Sequence, residues 1–166
     1  MSHITDLIGF INAKSGTSFT EGQLTVGVPA AIEGAQSGQR NTSVEVSGVP
    51  AHGFNGTKTI NYFRLDLAET FAGVVGGLNA KGPRDSGRSA DVLDDIFAQT
   101  GVQLEASDIV DEAVDFSAAG TYTLKAAPGN LKWIGQVEVA ITMDLVDINS
   151  VITDGDVDGF VAPTLS

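Results

Sequence analysis

The sequence predicts an α+β fold built mainly from antiparallel strands. Three observations carry this. Gln136–Leu145 alternates apolar and polar residues with period two, the mark of a strand with one buried face. A block of short amphipathic helix followed by glycine occurs twice. The composition is rich in Gly, Ser and Thr and poor in Lys and Glu, which suits strands and turns better than a helical bundle.

The helical blocks are DLIGFINAKSGTSFTEGQLTV, from Asp6 to Val26, and DVLDDIFAQTGVQLEASDIVD, from Asp91 to Asp111. They align without a gap, matching Asp6 with Asp91, Ile11 with Ile96, Ala13 with Ala98 and Gly16 with Gly101. In the first block Ile4, Leu7, Ile8 and Ile11 fall on one helical face. In the second, Val92, Leu93, Ile96 and Phe97 are expected to share a face, with Ser89 as N-cap and Asp91 in the first turn. Gly16 and Gly101 should end the helices, because glycine takes the left-handed conformation without steric cost. Each is followed by an apolar residue (Phe19, Leu104) and then a second (Leu24, Ile109).

The strands repeat as well. NTSVEVSGVPAHGFNGTKTINYF resembles GTYTLKAAPGNLKWIGQVEVAIT at an offset near 79, so that Phe54 matches Trp133 and Gly56 matches Gly135. Val44 with Val46, and Tyr122 with Leu124, show the same alternation. The aromatic-x-Gly step before each last strand suggests a turn or bulge with the aromatic packed beneath it. The chain is therefore read as two pseudo-repeats in a β-sandwich-like arrangement. Residues 1–75 form the first, 76–88 a Gly/Pro linker, 89–147 a second, acidic repeat and 148–166 a tail. An immunoglobulin-like β-sandwich is the alternative, since a strand like Gly120–Leu124 also occurs in bacterial modules of that kind.

The net charge of −12 is lopsided. Acids and bases balance up to Arg84, while residues 85–166 hold many acids against Arg88, Lys125 and Lys132. Such a surface repels phosphate backbones and argues against nucleic acid as partner. No apolar run approaches the roughly 20 residues that span a bilayer, so no membrane partner is expected. No basic leader precedes the first apolar stretch. Without cysteine, disulfides and thiolate metal sites are excluded.

Candidate chemistry is sparse. Asp154, Asp156 and Asp158 alternate as in the opening of a calcium loop. The twelfth position of that loop, which needs a bidentate Glu, is Leu165, and Pro163 interrupts the outgoing helix. The three carboxylates are read as a solvated turn, and no metal or other cofactor is assigned. His3 and His52 have no second ligand at metal spacing, and both are read as surface or loop residues. No Gly-x-Ser-x-Gly elbow is present, and Ala13–Thr17 reverses the order of a phosphate loop. No catalytic residues are assigned, and the chain is read as non-enzymatic. Trp133, Phe54, Tyr62 and Phe63 lie in or beside strands and are read as core. Phe160, Val161, Arg84 and Arg88 are the candidate interface residues.

Leu7–Ser18, Leu93–Ile109, Trp133–Val139 and Asp158–Phe160 together resemble a family of virion proteins of tailed, large myovirus-type bacteriophages. The resemblance spans most of the chain and rests on structural motifs. It implies a structural component of the virion, made in the host bacterial cytoplasm. Such a component decorates the capsid or belongs to the neck, tail or baseplate. Its implied partners are major capsid or tail subunits, met in homo- or hetero-oligomeric contacts. The competing expectation is a soluble adhesion or glycan-binding module tuned by calcium.

Overall fold

The computed structural model describes residues 3–36, 38–81 and 86–143. Asp154, Asp156, Asp158, Phe160, Val161 and Arg84 lie outside the described residues. The fold is α+β, with three short helices and mostly antiparallel strands. In chain order these are α1 (His3–Ser15), β1 (Leu24–Val26), β2 (Ala30–Ala31), β3 (Thr42–Gly48), β4 (Thr57–Tyr62), β5 (Leu65–Asp66) and α2 (Leu67–Phe71). They continue as β6 (Leu78–Lys81), β7 (Ser86–Arg88), α3 (Leu93–Thr100), β8 (Ala113–Asp115), β9 (Gly120–Lys125), β10 (Trp133–Ile134) and β11 (Gln136–Thr142). Among the described residues no helix is long and apolar enough to cross a membrane.

In the first sheet, β3 pairs antiparallel with β1, β2 and β4. In the second, β11 runs antiparallel to β9 and parallel to β6. A short parallel pair joins β5 to β10, and β7 pairs antiparallel with β8. The three helices and two parallel pairings set the chain apart from an immunoglobulin-like arrangement.

The repetition seen in the sequence returns as repeated hydrogen bonds. Gly16 (φ 66°) and Gly101 (φ 71°) end α1 and α3 in the left-handed conformation. Their N–H groups donate to Asn12 O (2.9 Å) and Phe97 O (2.7 Å). Each helix then gives way to an extended stretch and a single 3-10 turn, Glu21–Gln23 or Ala106–Asp108. Each turn is closed by the side chain at its last position: Thr20 N–H donates to Gln23 Oε1 (2.9 Å) and Glu105 N–H to Asp108 Oδ2 (3.0 Å).

The strand connections match too. Val49 N–H donates to Gln23 O (3.0 Å), as Ala127 N–H does to Asp108 O (2.8 Å). His52 N–H donates to Val49 O (2.9 Å), as Asn130 N–H does to Ala127 O (3.1 Å). Gly48 N–H donates to Gly56 O (2.9 Å), as Ala126 N–H does to Gly135 O (3.0 Å). Gly56 and Gly135 both have positive φ. At Gly135 a Cβ would also crowd the Asp66 carboxylate, which would have to move to admit it.

A Cβ at Gly16 or Gly101 meets nothing within 4 Å. Substitution there tests conformation alone. Gly16→Val and Gly101→Val are each expected to cost about 1–2 kcal/mol, because a β-branched residue resists the left-handed region. Thermal melts of the two variants check this, and unchanged midpoints would refute the shared helix-stop role.

Two apolar cores form. The smaller contains Leu7, Val44 and Val46, with Ile11, Ile60 and Tyr62 packed against it. The larger holds Trp133, Phe116, Leu124, Val139 and Ile96, joined by Leu67 and Phe71 of α2 and Leu78 and Ala80 of β6. This corrects the expected boundary at residue 75. The second core recruits the chain from α2 onward, and Leu78–Lys81 of the expected linker is a core strand. Gly76 and Gly77 flank the strand without preventing it. Two other expectations change. Ser89 does not cap α3 but donates to Glu112 O (3.1 Å) and shares a hydrogen with Tyr122 Oη (2.6 Å). The helix is entered instead through a 3-10 turn, Ser89–Val92. Phe97 is 46% exposed, so it does not share the buried face of Val92, Leu93 and Ile96.

A candidate interaction trough and the polar junction behind it

Helix α1 lies against the first sheet through Leu7 and Ile11. Phe10 falls off that face and is 68% exposed. Between α1 and β4 runs a trough of three adjoining cavities, of about 230, 480 and 350 Å³. The first two share Leu7, Phe10, Tyr62 and Phe63, and the last two share Ile11, Ser15 and Ile60. Its walls are largely apolar, with Phe10, Phe63 and Leu65 exposed at one end. A cluster of exposed aromatic and aliphatic side chains around a concavity is the usual form of an interaction site.

Charge around the trough is unlike that of the chain as a whole. Lys14 and Arg40 line the middle cavity, Lys58 one end and Lys132 the other, against a single acid, Asp6. Two polar atoms at the Lys132 end, Tyr62 Oη and His3 Nδ1, are buried without a hydrogen-bond partner. Burial raises the Tyr62 phenol above its ordinary value, with nearby Arg64 opposing, so the hydroxyl keeps its proton and remains a donor.

Behind this end a buried polar junction joins the two halves. Arg64 donates from Nε to Thr42 Oγ1 (2.8 Å) and from Nη1 to Asn130 O (2.9 Å). Its backbone is held by Asn41, which accepts from Arg64 N–H and donates to Arg64 O, both at 2.8 Å. Asn130 passes the connection on. Its Oδ1 accepts from Lys132 N–H and Trp133 N–H, each at 2.8 Å, and its Nδ2 donates to Asp108 Oδ1 at 2.9 Å. His3 Nε2 donates to the same carboxylate and ties the start of α1 to the second half. His3, read as a surface or loop residue, instead sits half-buried at the start of α1 with a carboxylate partner. The partner lies far along the chain, where spacing motifs do not reach.

Asp108 is almost wholly buried. Burial pushes its pKa up, but the hydrogen bonds from Glu105 N–H, His3 and Asn130 and the charge of His3 outweigh this, and the net shift is downward. A depressed folded-state pKa means that the stabilisation is present above the unfolded value near 3.8 and is lost as pH falls through the folded value. Acid unfolding of the wild type should therefore steepen below about pH 4. Asp108→Asn should be less stable at pH 7 yet show a shallower acid limb, which chemical denaturation at a series of pH values would measure.

The other sequence candidates fall elsewhere. Arg88 is committed within the chain: Nε donates to Asp111 Oδ2 (2.7 Å) and Nη2 to Asp111 O (2.6 Å). That side-chain bond is the main cause of the lowered pKa of Asp111. Trp133 is 1% exposed and belongs to the larger core. Phe54 is half-buried and packs edge-on against Phe19, with ring centroids 5.1 Å apart. His52 lies exposed in the turn Pro50–His52. Tyr62, read as core, packs against the smaller core and also lines the trough, whereas Phe63, also read as core, is exposed in the trough wall. The signal for the trough was Phe10, an aromatic set off the apolar stripe of its own helix.

Among curated proteins and solved structures, none matches the chain. Residues 4–166 match a family of unknown function, DUF7941, and the chain belongs to that family.

Proposed function

We propose that this chain is a non-enzymatic structural component of a tailed-phage virion, decorating the capsid or forming part of the neck, tail or baseplate. It acts through subunit interfaces, and its partners are other virion proteins. The observation that carries this reading is the trough between α1 and β4, whose exposed Phe10, Phe63 and Leu65 present an apolar surface with a basic rim. Its chemistry is that of an interface: apolar anchors at the centre and charges around them. The virion assignment draws on the resemblance to phage structural proteins across most of the chain. A particle supplies many copies, so modest interfaces add up by avidity.

The test is mass spectrometry and immunogold electron microscopy of purified particles. The chain should be present at a fixed copy number and at one location on the particle. Particles that never contain the chain, and that keep full infectivity when its gene is deleted, would refute the reading.

A further inference from the structure

β4 and β6 are both edge strands, and the fold treats them differently. The outer edge of β6 is closed by α3: Asn79 N–H donates to Gln99 Oε1 (3.0 Å) and Lys81 N–H to Asp95 Oδ2 (2.6 Å). β4 pairs with β3 on one side. On its other side no backbone group is bonded among the described residues. An unpaired edge is a template for a further strand. The middle cavity of the trough is lined by Ile60, Asn61 and Tyr62 in succession. Alternate residues of a strand face opposite sides, so a cavity that touches three in a row lies along the strand's edge. The open edge, the apolar walls and the basic rim thus form one continuous feature.

We propose that this feature receives residues 144–166 of a neighbouring copy as an added β-strand between α1 and β4. The inference rests on the reading of the chain as a multi-copy particle component, and it names the occupant of the interface. Three observations select that segment. The first is charge: it holds Asp144, Asp147, Asp154, Asp156 and Asp158 and no base, matching a trough rimmed by Lys14, Arg40, Lys58 and Lys132. The second is composition. Apolar residues recur between those acids, among them Val151, Ile152, Phe160 and Val161, which suits strand addition with side chains entering pockets.

The third is position and reach. β11 carries the chain about 20 Å along its axis before Met143. A chain whose own segment filled its trough would stay monomeric, so self-association separates a neighbour's segment from the chain's own. Extended, the segment spans roughly 75 Å, ample for a neighbour.

The experiment uses the full chain in three forms, each confirmed as folded by circular dichroism. One is the wild type. One carries Lys14→Glu and Arg40→Glu, both exposed, and so has a reversed trough. One carries Asp154→Lys and Asp156→Lys and so has a reversed segment. Analytical ultracentrifugation should show concentration-dependent self-association of the wild type, weakened at least about tenfold in each variant. Mixing the two variants should restore association, because the intact segment of one meets the intact trough of the other. Exposed Phe10→Asp should also weaken association about tenfold or more, by removing an apolar anchor. Amide hydrogen exchange in β4 should slow as the wild type associates.

A wild type that stays monomeric at all concentrations would overturn the proposal, as would failure of the mixture to associate or β4 exchange that association leaves unchanged. If association fails while the chain is still found on purified particles, the virion reading stands and only the occupant is wrong. If association holds while particles lack the chain, the reverse follows.

Discussion

Trp133→Ala is expected to lower stability by about 3–5 kcal/mol, the usual cost of deleting a large buried aromatic side chain. Trp133 is 1% exposed and heads the fully buried residues of the larger core, beside Phe116, Leu124 and Val139. That core is shared: Leu67 and Phe71 come from α2, Leu93 and Ile96 from α3, and Leu78, Ala80, Leu124, Val139 and Ile141 from the second sheet. A cavity at Trp133 therefore loosens several elements at once, and partial collapse is difficult because a parallel strand pair fixes the backbone opposite Leu65. The indole Nε1 is buried without a partner. Trp133→Phe removes that unpaired donor along with some volume, so it should cost much less, about 1 kcal/mol. Urea unfolding followed by circular dichroism distinguishes the two substitutions. Equal losses for Ala and Phe would show that the aromatic ring is not what the core needs. Because Trp133 is the one tryptophan of the chain, its fluorescence in the wild type reports directly on this core.

The sequence made some parts of this architecture legible and hid others for a physical reason. Gly16 and Gly101 could be read because a left-handed helix stop is a local matter of one residue's sterics. The alternation of Val44 with Val46, and of Val137, Val139 and Ile141, could be read because a strand's two faces are set within the strand. α2 escaped notice because its five residues are too few for periodicity, although Asp66 and Glu69 have the spacing of a helix-capping pair, and Asp66 Oδ1 does accept from Glu69 N–H (3.2 Å). β6 escaped because glycines beside it suggested a linker. Its burial is decided by β11, about 60 residues away, through a parallel pairing that no local pattern encodes.

The same distinction separates the two views of the site. Phe10 was not singled out in the sequence, because an aromatic beside an apolar stripe gains its meaning only from β4 lying across from it. Arg64 and Asn130 gave no sign at all, since their partners are backbone carbonyls and side chains from distant segments. Gln23 and Asp108 occupy matching positions in the two blocks and close matching turns. Only Asp108 was extended into a buried contact between halves. The matching turns follow from the matching positions of Gln23 and Asp108; the further contacts of Asp108 come from His3 and Asn130, which pack against it.

Asn130→Ala is expected to cost about 2–4 kcal/mol, because its side chain satisfies buried groups on three sides. Loss of Oδ1 leaves the buried Trp133 N–H and the Lys132 N–H without acceptors, and loss of Nδ2 takes a donor from the buried Asp108 carboxylate. Asn130→Asp makes a sharper test. It keeps an acceptor for both N–H groups but sets a second carboxylate against Asp108, where the wild type has a donor. Two carboxylates at hydrogen-bond distance cannot both ionise easily, so one of them must titrate with a raised folded-state pKa. A raised carboxyl pKa reverses the linkage: the folded state then binds the proton more tightly than the unfolded state, and stability rises as pH falls through that value. The wild type, whose Asp108 is shifted downward, should lose stability on acidification. Asn130→Asp should therefore be much weaker than the wild type at pH 7 and should recover part of the difference toward pH 5, before general acid unfolding sets in. Urea midpoints measured from pH 7 down to pH 4 check the sign. If wild type and Asn130→Asp run parallel over that range, Asn130 and Asp108 are not coupled, and the junction between the halves rests on Arg64, the His3–Asp108 contact and the β5–β10 pair.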